Sequence, residues 1–207
     1  MHQRCGAITD GTTDQMKDYH PMSNLTLFII RHAEKPDEAW PGPGLTEDGQ
    51  PDNKSLVVRG WHRAGSWAVL FGGSYGGFPA PGVIYAASPV SGAGEEISQR
   101  PLQTVRPLAE RLHLTPITHW GHGDENRAAA DVTKRTGVVL VCWEHKLIAS
   151  ALLPALLGTQ EVPGVPSKWH GDRFDVVLRL DRAAAAEPWS FQQQFPRLLS
   201  GDTDVPM

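Results

Sequence analysis

The sequence predicts an α/β fold, a buried β-sheet covered by amphipathic helices, on three observations. Thr26-Leu27-Phe28-Ile29-Ile30 is a run of apolar or β-branched residues, too short for a helix, that stops abruptly in Arg31-His32-Ala33-Glu34-Lys35-Pro36. Val138-Val139-Leu140-Val141-Cys142-Trp143 repeats the arrangement and ends in Glu144-His145. Between them, apolar residues recur at helical spacing at Trp61, Ala64, Ala68 and Phe71, and again at Leu102, Val105, Leu108, Ala109 and Leu112. Open α/β sheets bind ligands in the crevice beyond the carboxyl ends of their strands, so polar groups delivered there are placed for chemistry.

Residues 1–24 are polar and lack a hydrophobic period, which reads as a tail, and residues 25–207 as a single domain. Residues 36–53 contain Pro41-Gly42-Pro43-Gly44 and form a loop long enough to wall a site. A helix follows over residues 58–71, with Arg59, His62, Arg63 and Ser66 off its apolar stripe. Gly72-Gly73-Ser74-Tyr75-Gly76-Gly77 ends it and lacks the Lys-Ser/Thr ending of a phosphate-binding loop. Residues 83–87 are a second buried strand. Arg100 then precedes a helix with Pro101 in its first turn, where free backbone N–H groups favour an anion. The competing reading pairs Arg100 with Glu95 or Glu96 on the surface. Residues 114–120 read as an edge strand opening into His119-Trp120-Gly121-His122-Gly123-Asp124-Glu125, whose spacing fits no zinc signature and suits a site rim or an exposed loop. A short helix over residues 128–135 comes next. After His145, Leu147, Ile148, Ala151 and Leu152 mark a helix that Pro154 kinks or ends. Residues 174–180 read as a late strand and residues 189–199 as a short terminal helix.

The net charge of −4 and the absence of a basic run with interleaved aromatics argue against a nucleic-acid partner. No apolar run approaches a bilayer span and the first residues lack a secretory apolar core, so the expected compartment is the cytoplasm, without a membrane partner. Cys5 and Cys142 support neither a disulfide framework nor a thiolate metal cage.

The strands bring Arg31, His32, Arg100, Glu144 and His145 toward one sheet edge. Two arginines and two histidines in one crevice suit an anion, with a neutral imidazole able to attack phosphorus. Arg31-His32-Ala33-Glu34, Ser98-Gln99-Arg100-Pro101-Leu102-Gln103-Thr104 and Glu144-His145 together resemble the motifs of the histidine phosphatase superfamily, also called phosphoglycerate mutase-like. The resemblance spans residues 25–180, with Ala33 standing where that family has glycine. It implies a three-layer sandwich with a central, mostly parallel sheet flanked by helices. It also implies His32 as the phosphorylated nucleophile, Arg31, Arg100 and His145 as the phosphate pocket, and no metal or organic cofactor. The general acid it calls for has four candidates, Glu34, Glu144, Asp124 and Glu125. The expected activity is hydrolysis of phosphomonoesters or phosphohistidine, on a small phosphorylated substrate or a phosphoprotein. The alternatives are a mutase-type phosphotransferase and an inactive phosphate-binding protein.

Overall fold

The structure is a computed structural model that describes residues 24–91 and 94–207. The expected polar tail, with Cys5, lies outside the described residues apart from Asn24. Five strands form one sheet: β1 (Leu25–Arg31), β2 (Val83–Ala86), β3 (Gly137–Trp143), β4 (Val177–Arg182) and β5 (Ser190–Gln194), in the order β2-β3-β1-β4-β5. The β2-β3-β1 half is parallel; β4 runs antiparallel to β1, and β5 to β4.

The strands read as continuous apolar runs because both faces are covered. On one face Phe28, Ile30, Leu140 and Cys142 pack with Trp67 and Phe71 of α1 (Val58–Gly72) and Val105 and Leu108 of α2 (Arg100–Leu112). On the other, Leu27, Ile29, Val139 and Val141 pack with Ala128 and Val132 of α3 (Glu125–Val132) and with Ile148, Leu152 and Leu156 of the helical stretch after β3. Three layers result, as expected. Burial of each large side chain here contributes about 1.5–3 kcal/mol. Among the described residues no helix is long and apolar enough to cross a membrane.

Several local expectations are corrected. Residues 114–120 form no strand; Ile117 makes only an isolated parallel bridge to Tyr85. The expected terminal helix is instead β5, where period-2 burial places Trp189 and Phe191 against the core and exposes Ser190 and Gln192. The helix of residues 128–135 starts a turn earlier, at Glu125. Pro154 does not end the segment after His145: α4 (His145–Leu147) widens into a π-helical turn over Ile148–Leu152 and continues as α5 (Leu153–Leu157). The wider turn lies just ahead of the proline, whose ring and missing N–H disrupt regular α-helical bonding there.

Candidate active site

The carboxyl ends of the three parallel strands are level. Arg31 of β1 pairs with Trp143 of β3, and His32 N–H continues the ladder to the Trp143 carbonyl at 3.0 Å. Ala86 of β2 pairs with Cys142, and Ala87 N–H reaches its carbonyl at 3.0 Å. Past these ends lies a cleft of about 190 Å³ lined by His32, Ala87, Ser88, Ile97, Ser98, Arg100, Pro101, His122, Trp143, Glu144 and Leu147. This is the crevice in which open α/β sheets hold ligands.

His32 is 4% exposed, and its Nδ1 lies 2.8 Å from the Ala33 carbonyl. A carbonyl only accepts, so Nδ1 carries the proton and Nε2 keeps its lone pair. Burial, then the nearby Arg31 charge, lowers the His32 pKa to about 3; the Ala33 hydrogen bond opposes them, and Arg100 and His145 add to the lowering. The ring is therefore neutral at neutral pH. Ala33 lies outside the left-handed region and packs against Leu56 and Ala64, so its methyl group is accommodated.

The two arginines are held by carbonyls along different edges of their guanidinium groups. Arg31, fully buried, gives Nη1 to the Gly171 and Arg173 carbonyls at 2.6 and 3.2 Å and stacks over Phe174, 3.7 Å from the ring centroid. Its Nε is buried without a partner among the described residues. Burial lowers its pKa to about 10, against the pull of Glu144, Glu34, Asp37 and Asp172, so it stays charged at neutral pH. Arg100 gives Nε to the Ser55 carbonyl at 3.3 Å and Nη2 to the Asn53 carbonyl at 2.5 Å, and its Nη1 makes no hydrogen bond among the described residues. The surface pairing with Glu95 or Glu96 is not what holds it: Glu96 instead accepts from Gln99 at 2.9 Å.

His145 is buried next to Glu144, its Nδ1 2.7 Å from Glu144 Oε1. Glu144 lines the cleft and caps the helical stretch, accepting from Leu147 N–H at 3.0 Å. Burial alone would raise its pKa, but His145 and the Leu147 amide outweigh it and bring it to about 2. A carboxylate so held has no proton to give at neutral pH.

The other carboxyls are differently committed. Glu34 is fully buried and receives Arg63 on both oxygens at 2.8–3.1 Å and Arg59 at 3.1 Å. Arg63 in turn grips Asp202 at 2.7 and 3.0 Å. Glu34 is thus the centre of a structural ion cluster, and Arg63, expected off the apolar face of its helix, is 2% exposed. Asp124 stands just ahead of α3 and pairs with Arg127 at 3.3 Å. Glu125 is buried, accepting from Trp143 Nε1 at 3.1 Å and Gly123 N–H at 3.2 Å. None of these three lines the cleft. Among the described residues no three His, Cys, Asp or Glu side chains converge as a metal site.

Sequence reasoning missed the groups that join these parts. Thr104, fully buried, accepts Ala33 N–H at 2.8 Å and donates to the Arg100 carbonyl at 2.7 Å, linking the turn after His32 to the helix that Arg100 begins. Gln103 accepts Leu56 N–H at 2.9 Å and donates to Ser55 Oγ at 2.8 Å, fixing the loop whose carbonyls grip Arg100. Ser55 Oγ also donates to Asp52. The signal was present as the i+3 and i+4 polar positions after Arg100, which helical spacing turns back toward its first turn. Arg63 and Asp202 are distant in sequence, and nothing local announces their pairing.

No protein-family model matches the chain, and no curated protein matches it in sequence. Solved structures do. The protein histidine phosphatase SixA complexed with tungstate is 16% identical, with 83% of this chain and 97% of that one covered and a TM-score of 0.50. A mycobacterial glucosyl-3-phosphoglycerate phosphatase is 14% identical over 83% and 98% of the two chains, TM-score 0.47. An Entamoeba histolytica phosphoserine phosphatase variant in complex with phosphoserine is 14% identical over 75% and 90%, TM-score 0.44. With its level parallel strand ends and helices on both faces, the chain has the histidine phosphatase fold.

Proposed function

We propose that the protein is a metal-independent phosphatase that hydrolyses phosphomonoesters or phosphohistidine through a covalent phosphohistidine on His32. The observation that carries this reading is the His32 ring: buried, neutral, its proton fixed on Nδ1 by the Ala33 carbonyl, and its other nitrogen free at a cleft that also presents Arg100. A neutral imidazole with a pinned tautomer is a prepared nucleophile.

Nε2 attacks phosphorus in line with the leaving group. Negative charge on the three equatorial oxygens is met by Arg100 on the cleft wall, while Arg31, which does not line the cleft, adds its positive charge from beside His32. His145, beside the anionic Glu144, supplies a further donor when protonated. Water then attacks the phosphorus of phospho-His32, and phosphate leaves.

The wall composition favours hydrolysis over mutase chemistry. Arg100 is the only lysine or arginine lining the cleft among the described residues, so a second acidic group on a substrate has no clamp there. The commitments of Glu34 and Glu144 favour good leaving groups, and phosphohistidine, the class of substrate in SixA's name, has one. The substrate is a small phosphorylated molecule or a phosphoprotein, and the expected compartment is the cytoplasm.

The test is release of phosphate from p-nitrophenyl phosphate and from a phosphohistidine peptide, with and without chelator. Turnover indifferent to chelator and lost in His32→Ala is the expected result. Turnover retained by His32→Ala would overturn the assignment, and phosphate binding without turnover would make the chain a binding protein.

A further inference from the structure

We infer that His122 is the proton donor and acceptor of the reaction proposed above, serving the leaving group in place of a carboxylic acid. The role rests on that phosphatase reading. A phosphoryl group cannot leave an alkoxide or a weakly acidic phenol at a useful rate unless the departing oxygen is protonated. The carboxyls nearest the nucleophile are spoken for: Glu34 by two arginines, Glu144 by the Leu147 amide and the His145 ring. Asp124 and Glu125 do not line the cleft, while His122, two residues away, does.

The presentation of His122 is built. It sits in the turn closed by Asp124 N–H to the Gly121 carbonyl at 2.9 Å, followed by Gly123 at φ +94°. Both flanks of the turn are anchored to residues of the cleft wall. On one side Ser88 N–H bonds the Trp120 carbonyl at 2.8 Å, and Gly121 lies so near Ser88 that an added Cβ would come within 3.0 Å of the serine Cβ. On the other, Glu125 Oε1 receives both Gly123 N–H and Trp143 Nε1. Glu125 therefore acts as a positioning residue for the turn. His122 is exposed and lines the same cleft as His32, Arg100 and Glu144, the other titratable or charged groups of the wall; His145 adjoins Glu144 at 2.7 Å. Imidazole is the side chain best suited to give and take a proton near neutrality.

The steps balance. The Nε2 lone pair of His32 forms the N–P bond as the P–O bond breaks; that electron pair goes to the leaving oxygen, which takes the proton of the His122 imidazolium. His122, now neutral, then removes a proton from water as the water oxygen bonds to phosphorus. The N–P bond breaks with its pair returning to His32 Nε2, and His122 is an imidazolium again.

The test compares the wild-type chain with His122→Gln and His122→Ala on p-nitrophenyl phosphate, whose leaving group needs no proton, and on phenyl phosphate, whose leaving group does. Both variants should lose about 10²–10⁴-fold in kcat/KM on phenyl phosphate and about threefold or less in kcat/KM on p-nitrophenyl phosphate, because kcat/KM reports the phosphorylation step alone, while kcat on both substrates falls with the proton acceptor for water. Equal losses of kcat/KM on the two substrates, or no loss of kcat/KM on phenyl phosphate, would overturn the role. The p-nitrophenyl kcat/KM also reports whether each variant is folded. A wild-type chain that hydrolyses neither substrate would remove the phosphatase reading and this role with it; one that hydrolyses both, with an unchanged ratio in the variants, would remove the role alone.

Discussion

His32 shows how much of a residue's chemistry is set by its neighbours' backbone. Its Nε2 keeps its lone pair because the Ala33 carbonyl holds the proton on Nδ1, and the N–H of the same Ala33 is in turn held by Thr104. Thr104→Val removes both hydroxyl bonds at nearly constant shape, leaving a buried Ala33 N–H unpaired at a cost of about 1–3 kcal/mol. It should lower kcat on p-nitrophenyl phosphate about tenfold or more, since a small misplacement of reacting groups is costly, while Thr104→Ser should restore most of it. Steady-state kinetics with urea unfolding checks this; wild-type kcat in the valine variant would show that the link does not matter to turnover. The placement of Arg31, His32, Arg100 and His145 at strand ends and helix starts was legible from the sequence, because short apolar runs and helical periods end there. The partners of Glu34 were not legible for a physical reason: a carboxyl two residues from His32 looks available until the buried Arg63, with Asp202, both remote in sequence, are seen to enclose it.

At the scale of elements, one helix start and one strand end carry groups whose protonation makes stability depend on pH. Glu144 caps the helical turn after β3 with its pKa lowered from 4.5 to about 2, so its stabilising effect is complete above about pH 4.5 and is lost as pH falls toward 2. His32, at the end of β1, is lowered from 6.5 to about 3. The unfolded chain takes up its histidine proton below about pH 6.5 while the folded one does not, so this group also removes stability as pH falls through that window. Glu144→Gln should therefore flatten the fall of the urea midpoint between about pH 4.5 and 2, leaving the fall between about 6.5 and 4.5 in place. An unchanged slope in the lower window would show that the cap is not ionised there. The parallel strands and α1 and α2 were legible because hydrophobic period and length agree. β5 was not: Trp189, Phe191, Phe195 and Leu198 fit a loose helical stripe, and only pairing with β4 selects the period of two.

For the whole molecule, the sheet order explains why distant motifs meet. Crossovers over both faces place β3 between β2 and β1, so the three parallel strands end side by side and the segments leaving them surround one cleft. The ion cluster of Glu34, Arg63, Arg59 and Asp202 then ties the turn after β1 to α1 and to the residues after β5, bracing that cleft from behind. The central claim is that this arrangement makes His32 a covalent carrier of the phosphoryl group. The most direct measurement is rapid quenching of the protein during turnover of ³²P-labelled substrate, with the quench and peptide mapping kept alkaline because phosphohistidine survives base and not acid. Label on the peptide containing His32, formed and lost at rates matching kcat and absent from His32→Ala, is the predicted result. Turnover at the same rate with label on another residue would contradict it.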